Sequence, residues 1–328
     1  MANLKARSVC VVLGTGGTIA GRSVDAADNV GYVAGEVGVG DLVKAVPPLQ
    51  GLALECEQVA QIDSKDMGFA VWKRLAERVA HHLAREEVQG VVVTHGTDTL
   101  EETAWFLQTV LAPDKPVVLT SAMRPATALV PDGPQNLLDA VVVAGCDGLT
   151  GVVAVSAGWV HRAEHVCKVH SYRIDAFDSG DAGPMGCVEE GVVRWFQPFE
   201  APSTGLSGPT DRLARISAAT ALPSVVLVTS HSDADGRVVL GVLALNSGQH
   251  GAKTQGIVVA CTGNGTLHAE LAAALDQAQA SGVRVVRATR CARGRVISHV
   301  GDKFESSAGL SPVKARLALS LALLPDWA

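Results

Sequence analysis

Short, valine-rich apolar runs recur along this chain and constrain its fold more than any other feature. They are VVVT (91–94), PVVLTSA (116–122), GVVAVSA (151–157), SVVLVTS (224–230), GIVVAC (256–261) and VRVVRAT (283–289). Continuous apolar runs of this length are typical of strands buried on both faces of a parallel sheet. Between them lie helical patterns, one of which has apolar residues three or four apart: Phe69, Trp72, Ala76, Val79 and Leu83. The alternation predicts an α/β fold, with a mostly parallel sheet and flanking helices.

The alternation is interrupted once, in the tract PFEAPSTGLSGPTDRLARISAATALP at 198–223. This tract is rich in Pro, Ser, Thr and Gly and shows no periodicity, so we interpret it as an interdomain linker. The resulting prediction is a larger N-terminal catalytic domain over 1–200, a linker over 201–222 and a smaller C-terminal α/β domain over 223–328. The EEG sequence at 189–191 predicts a hairpin that closes the first domain.

Charge and composition restrict the class of partner. A formal net charge of −6 and the lack of a long basic run argue against a nucleic-acid or anionic-membrane partner. No stretch approaches the roughly 18 to 20 apolar residues of a membrane span, and the apolar run at 9–13 is too short for a secretory signal. Seven scattered cysteines fit reduced thiols better than a disulfide framework. We therefore expect a cytoplasmic protein with a small-molecule partner.

The stretch LGTGGTIAG at 13–21 could hold a phosphate or display a reactive hydroxyl. A dinucleotide fingerprint needs glycines at the first, third and sixth positions of the turn, but the sixth position counted from Gly14 is Ile19. The glycines therefore favour close backbone approach, with Thr18 at the carboxyl end of a strand, where open α/β sheets bind ligands. No cofactor is expected. No metal is expected either, because the histidines at 161, 165 and 170 lack a recognisable ligand spacing.

A second strand end of the same kind is VVVTHGTDTLEE at 91–102. Thr99 and Glu102 have the spacing of a capping box, so Thr97 and Asp98 precede a helix and lie at the tip. In QIDSKDM at 61–67, Ser64 taken alone is more often a helix cap than a ligand. Two threonine-bearing strand ends predict nucleophilic catalysis by a hydroxyl, which needs a neighbouring proton acceptor such as a lysine. The spacing does not identify that lysine.

Seven segments together resemble the bacterial L-asparaginases of the homotetrameric type. They are TGGTIAG (15–21), GYVAGEVGVGDLV (31–43), DSKDM (63–67), THGTDTLEETA (94–104), SAMRP (121–125), DGPQNLLDA (132–140) and TGNGTL (262–267), and they match in order over nearly the whole chain. The resemblance implies hydrolysis of L-asparagine to L-aspartate and ammonia through an acyl-enzyme, with possible minor glutaminase activity. It also implies a homotetramer arranged as a dimer of dimers.

The resemblance also implies roles for individual residues. Thr18 would be the primary nucleophile, with Tyr32 beside it on a closing loop. The second catalytic set would be Thr97, Asp98 and Lys168. Ser64 and Asp98 would bind the α-carboxylate and α-ammonium of the substrate. The remaining substrate-binding positions implied are Gly17, Lys65, Gly96, Ala122 and, reaching a neighbouring subunit, Asn264.

Two positions depart from the family pattern. Lys65 stands where the family commonly has glutamine, and it could strengthen carboxylate binding or point to solvent. The acidic residue that the second domain often lends to a neighbouring site has no clear equivalent between Arg290 and Asp302. Two alternatives keep the same fold: an amino-acid-binding sensor without turnover, or an amidase acting on another substrate.

Overall fold

The computed structural model describes residues 8–198, 209–247 and 253–327. The chain divides into two compact units, Met1–Ala218 and Ala219–Ala328. Each unit has its own sheet, and the strands of each sheet follow the valine-rich runs of the sequence. The predicted fold class, a mostly parallel N-terminal sheet with helices and a smaller C-terminal α/β unit, is confirmed.

Within its described residues, the first unit contains an eight-stranded sheet and a two-stranded ribbon. The strands are β1 (Val9–Gly16), β2 (Leu54–Ile62), β3 (Val88–Thr94), β4 (Val117–Thr120), β5 (Val152–Ser156), β6 (Trp159–Arg162), β7 (Cys167–Lys168), β8 (Phe177–Asp178), β9 (Gly186–Glu189) and β10 (Val192–Trp195). The sheet order is β10-β9-β6-β5-β4-β3-β1-β2, and β7 pairs with β8. The pairs β2–β1, β1–β3, β3–β4 and β4–β5 are parallel, whereas the pairs β5–β6, β6–β9 and β9–β10 are antiparallel.

Helices cover this sheet because the apolar side chains of its central strands need burial on both faces. The helices are α1 (Val39–Lys44), α2 (Phe69–Leu83), α3 (Leu100–Leu111), α4 (Gly133–Ala144) and α5 (Pro209–Ala218). Helices α1 and α4 share one core cluster with β1, β3, β4 and β5. In α2 the predicted stripe buries Trp72, which stacks on Phe106 of α3 with ring centroids 5.1 Å apart. Burial of each large apolar side chain stabilises the fold by about 1.5–3 kcal/mol.

The predicted hairpin at 189–191 is confirmed, because β9 and β10 pair antiparallel across it. Glu190 and Gly191 both have positive φ, 49° and 73°. A two-residue turn of this kind matches the twist of the flanking strands.

The predicted linker over 201–222 is wrong for residues 209–218, which form α5. Residues 201–208 lie outside the described residues. Helix α5 packs on α2 and α3 and buries Ile216 together with Arg212, one turn earlier. Because an arginine holds one of the buried positions, the sequence of this helix does not show an apolar stripe. Pro209, which suggested a loop, occupies the first helical position, where the missing N–H costs no hydrogen bond.

The second unit is a parallel α/β sheet. Its described elements are β11 (Ser224–Thr229), α6 (Arg237–Ser247), β12 (Thr254–Cys261), α7 (Ala269–Ala280), β13 (Arg284–Thr289), β14 (Glu305–Ser306) and α8 (Pro312–Ala322). The strands pair in chain order, and all three ladders are parallel. Strand β12 is buried between a cluster that includes α7 and a second cluster that includes α8.

Candidate active site

Three strand ends of the first unit meet at one edge of its sheet. Strands β3, β1 and β2 are neighbours and run parallel, so their carboxyl ends point the same way. Thr18 follows β1, Ser64 follows β2 and Thr97 follows β3. The Gly17 N–H donates to the carbonyl of Ile62 at 2.8 Å, and this hydrogen bond links the tip that follows β1 to the end of β2.

Glycines allow these tips to approach one another. Gly17 has a φ of +80°, and a Cβ there would overlap the backbone N and Cα of Gly96. A Cβ on Gly96 would in turn overlap Oγ of Ser64. The ends of β1 and β3 are therefore packed backbone against backbone, and the Ser64 side chain packs against Gly96, contacts that residues with a Cβ could not make. This close packing brings Thr18, Ser64 and Thr97 to one place.

The first hydroxyl pair is Thr18 with Tyr32. Their oxygens, Thr18 Oγ1 and Tyr32 Oη, are 2.6 Å apart. Thr18 is buried, while Tyr32 is half-buried and its ring lies against Gly21, where a Cβ would come within 2.8 Å of it. The loop that carries Tyr32 is anchored by an antiparallel bridge between Arg22 and Val33.

The second group is Thr97 with Lys168 and Asp98. Lys168 Nζ donates to Thr97 Oγ1 at 2.8 Å and to Asp98 Oδ1 at 2.6 Å. The Lys168 side chain is 17% exposed and that of Asp98 is 54% exposed. The ammonium is therefore held between a buried hydroxyl and a carboxylate that is open to solvent, an arrangement in which a proton can pass along the hydrogen bonds.

Glu101, in the first turn of α3, is a further residue at this site. Its Oε1 accepts the backbone N–H of Lys168 at 3.2 Å and so attaches β7 to α3. The two residues are 67 positions apart in sequence. No local pattern signals such a contact.

Ser64 and Lys65 take different positions although they are adjacent. Ser64 is buried, its Oγ accepts the Asp98 N–H at 3.3 Å, and its carbonyl accepts the Thr99 hydroxyl at 2.8 Å. Lys65 is 64% exposed and forms an ion pair with Asp63 at 2.6 Å. The hydrogen bond with Asp63 raises the pKa of Lys65. Of the two possibilities left open, the structure has Lys65 at the surface and paired with its neighbour.

A buried histidine supports the tip that carries Thr97. His95 Nδ1 is 2.7 Å from the carbonyl of Gly96, and its Nε2 is 2.9 Å from Thr103 Oγ1. Trp72 Nε1 donates to Thr103 Oγ1 at 2.8 Å. Because the Gly96 carbonyl can only accept, His95 carries its proton on Nδ1 and donates it to Gly96, so Nε2 of the neutral ring accepts the Thr103 hydroxyl. Burial lowers the pKa of His95 to about 4, which keeps the ring neutral.

Two of the predicted substrate-binding residues follow other strands. Ala122 follows β4, the neighbour of β3, and is 1% exposed, so it belongs to the same sheet edge. Asn264 lies in the second unit after β12. There its Oδ1 accepts the Ile297 N–H at 2.6 Å and its Nδ2 donates to the Ile297 carbonyl at 3.2 Å. Among the described residues, its side-chain hydrogen bonds stay within that unit.

The part of the chain that the structure describes has neither a metal-binding cluster nor a membrane span. No group of three or more His, Cys, Asp or Glu side chains there could hold a metal ion. None of the described helices combines the length and the apolar character that a membrane-spanning segment needs.

Comparison with known proteins gives matches to both units. Residues 9–201 match the family model "Asparaginase, N-terminal", and residues 224–326 match "Glutaminase/Asparaginase C-terminal domain". The chain is 38% identical to L-asparaginase 2 of Escherichia coli (strain K12), over 95% of this chain and 88% of the relative. It is 35% identical to the glutaminase-asparaginase of Pseudomonas fluorescens biotype A, over 95% and 85%. The crystal structure of a "probable cytoplasmic L-asparaginase" from Campylobacter jejuni matches with a TM-score of 0.88 and 37% identity, over 98% of this chain and 96% of that one.

Proposed function

This chain belongs to the asparaginase family, and we propose that it hydrolyses L-asparagine to L-aspartate and ammonia through an acyl-enzyme on Thr18. The observation that carries the proposal is the convergence of two threonine-bearing strand ends on one sheet edge, with Lys168 hydrogen-bonded to the second threonine. Relatives of this chain are L-asparaginases and glutaminase-asparaginases.

Thr18 is proposed as the nucleophile because it is buried, lies at a strand end and already has its hydroxyl oxygen in a hydrogen bond. Tyr32, 2.6 Å away, would orient the hydroxyl. Attack of Oγ1 on the carboxamide carbon forms an ester, and the amide nitrogen leaves as ammonia with the hydroxyl proton. Backbone N–H groups around Thr97 and Ala122 would stabilise the negative charge that develops on the amide oxygen.

Thr97, Lys168 and Asp98 are proposed to serve proton transfer. The lysine joins the Thr97 hydroxyl to the Asp98 carboxylate through two hydrogen bonds of 2.8 and 2.6 Å. In the second half of the reaction a water must lose a proton as it attacks the ester. This set can accept that proton and then return one to Thr18 Oγ1 as L-aspartate is released.

Substrate recognition is proposed for Ser64 and Asp98. The Ser64 hydroxyl would donate to the α-carboxylate, and the half-exposed Asp98 carboxylate would pair with the α-ammonium. A fixed negative charge at this point discriminates free amino acids from simple amides. Glutamine would be a slower substrate, because one extra methylene is worth about 1–3 kcal/mol of discrimination.

Assembly and location are further parts of the proposal. We expect a homotetramer, a dimer of dimers, in which Asn264 reaches the site of a neighbouring subunit. A cytoplasmic location is supported by the likeness to the structure named above and by buried free thiols such as Cys10 and Cys261, which suit a reducing compartment.

Ammonia release from L-asparagine tests the activity directly. We expect turnover by the purified chain and a loss of at least about a thousandfold in Thr18→Ala, because the bond-forming oxygen is removed. Thr150→Ala, at a half-buried threonine of the same unit, is the matched control and should keep full activity. No ammonia from the unmutated chain would favour a sensor or another amide substrate. Full activity in Thr18→Ala would refute the choice of nucleophile.

A further inference from the structure

A cavity of about 540 Å³ lies in the first unit, and none of its lining residues is among the proposed catalytic or substrate-binding groups. One wall is formed by residues 130–132 and the first turns of α4, and another by the turn between β9 and β10. This volume is within the range of about 300–1,000 Å³ that small-molecule sites occupy. The cavity is therefore large enough for a ligand of its own.

Carboxylates outnumber cations in the lining of this cavity. Asp132, Asp139, Glu189 and Glu190 face a single guanidinium, that of Arg124. Two of the four carboxylates are already paired with backbone N–H groups or with a cation. Asp132 accepts the backbone N–H groups of residues 123 and 124 at 2.9 and 3.0 Å, and Glu189 forms an ion pair at 2.9 Å with an arginine of β10 that lies outside the lining.

Asp139 is the carboxylate that lacks a charged partner in spite of its burial. It is 4% exposed, and its Oδ1 accepts one hydrogen bond, from Gln135 Nε2 at 2.8 Å. Among the described residues it makes no ion pair, and burial raises its pKa. A buried carboxylate with one neutral donor is incompletely satisfied, so a cation beside it would be strongly favoured. Glu190, at the turn, also makes no ion pair with a described residue and adds a second negative charge to the same cavity.

The rest of the lining suits an alkyl chain. Val130 and Ile174 expose apolar surface at the cavity, and Pro131, Ala157 and Val188 extend it. A cavity with a buried charge at one point and an apolar wall beside it matches an organic cation, because the alkyl chain of such a ligand can cover the apolar wall.

We propose that this cavity is a second ligand site that binds a small organic cation, with its ammonium or guanidinium group on Asp139 and its alkyl chain on the wall of Val130, Pro131 and Ile174. The site does not depend on the amidase chemistry proposed above, since the two share no lining residue.

Isothermal titration of the full chain with 1,5-diaminopentane, compared with 1,5-pentanediol, tests this site. The two probes have the same length and differ in charge. Saturating L-aspartate is present throughout, so that the carboxylate of Asp98 does not compete for the amine. We expect the diamine to bind at least about tenfold more tightly than the diol, the difference that a charge-assisted hydrogen bond supplies.

Three variants locate the binding. Asp139→Asn keeps the shape of the side chain and should weaken diamine binding at least about tenfold. Asp114→Asn, at an exposed carboxylate outside the cavity, is the matched control and should bind as the parent does. Glu190→Lys places a positive charge at the cavity and should also weaken binding, without touching the buried position. Ammonia release from L-asparagine, measured on the same samples, should persist in all three.

Three results would overturn the second site: no diamine binding at millimolar concentration, equal binding of the diol, or parental affinity in Asp139→Asn. If diamine binding requires Asp139 while no variant and no parent releases ammonia from asparagine, the second site stands and the amidase proposal fails.

Discussion

Replacing Lys168 by methionine is the most informative perturbation of the proposed proton-transfer set. The substitution keeps an unbranched side chain of slightly smaller length and removes the two hydrogen bonds from Nζ, at 2.8 Å to Thr97 and 2.6 Å to Asp98. A positioned acid or base contributes about 10²–10⁴ to rate. At about 1.4 kcal/mol per factor of ten, the expected loss is about 2.8–5.6 kcal/mol of transition-state stabilisation.

The double variant Thr97→Val/Lys168→Met tests whether the two residues act as one unit. Thr97→Val alone should also lower kcat by about 10²–10⁴, because the lysine then has no hydroxyl to exchange protons with. If the pair acts together, the double variant should lose about as much as the worse single variant, since removing one member already disables the set.

The assay is the initial rate of ammonia release at saturating L-asparagine, with Lys44→Met as the matched control. Lys44 is 80% exposed and pairs with Asp41 at 3.3 Å, so its loss should change the rate less than twofold. Losses that multiply in the double variant would show that Thr97 and Lys168 act independently and would refute the proposed unit. A fall of less than tenfold in Lys168→Met would refute the role of the lysine in proton transfer.

Three further predictions concern the surroundings of the site. Tyr32→Phe removes one hydrogen bond to the nucleophile and should lower kcat/KM about two- to tenfold, whereas Tyr172→Phe, at an exposed ring, should not; a loss of a thousandfold would make Tyr32 a proton acceptor instead of an orienting group. Gly96→Ala should raise KM for L-asparagine at least about tenfold, because the new Cβ overlaps the serine hydroxyl of the neighbouring tip, while Gly68→Ala meets open space and should leave KM unchanged. The pKa of His95 is about 4 in the folded chain and near 6.5 when unfolded, so its contribution to stability is complete above pH 6.5 and is lost as the pH falls towards 4. Urea unfolding at pH 7 and pH 4 should show a fall in unfolding free energy that is about 3 kcal/mol smaller in His95→Gln than in the parent; equal falls would contradict the assignment.

Much of the fold follows from local sequence, because both strands and helices carry periodic signals. The run VVVT lies in β3, and the stripe from Phe69 to Leu83 has the same bounds as α2. These elements bury apolar side chains at the spacing that their own geometry requires. Helix α5 could not be recognised in this way, because the residue that shares its buried face with Ile216 is Arg212, whose NH1 donates to the carbonyl of Thr109 at 2.8 Å. A charged residue on a buried face has no signature in hydropathy.

The residues of the candidate site also fall into those that local sequence predicts and those that it does not. Thr18 and Thr97 each follow a valine-rich strand, so the order of the strands in a parallel sheet is enough to bring them to one edge. Lys168 lies on a two-residue strand of the β7-β8 ribbon, and it meets Thr97 across 71 positions of sequence. Only the family resemblance pointed to this lysine. Contacts between a short ribbon and a distant strand end depend on the whole tertiary fold, which local patterns do not encode.

The glycines of TGGTIAG have a structural reason that differs from phosphate binding. In a phosphate-binding turn the absent Cβ leaves room for the anion, and the backbone N–H groups point into that room. At Gly17 the corresponding room is filled by the backbone N and Cα of Gly96, and the Gly17 N–H is already bonded to the carbonyl of Ile62. The glycine therefore serves the contact between two strand ends. A motif that looks like a phosphate loop can thus serve the packing of two threonine-bearing strand ends, and the difference lies in what occupies the space of the missing side chain.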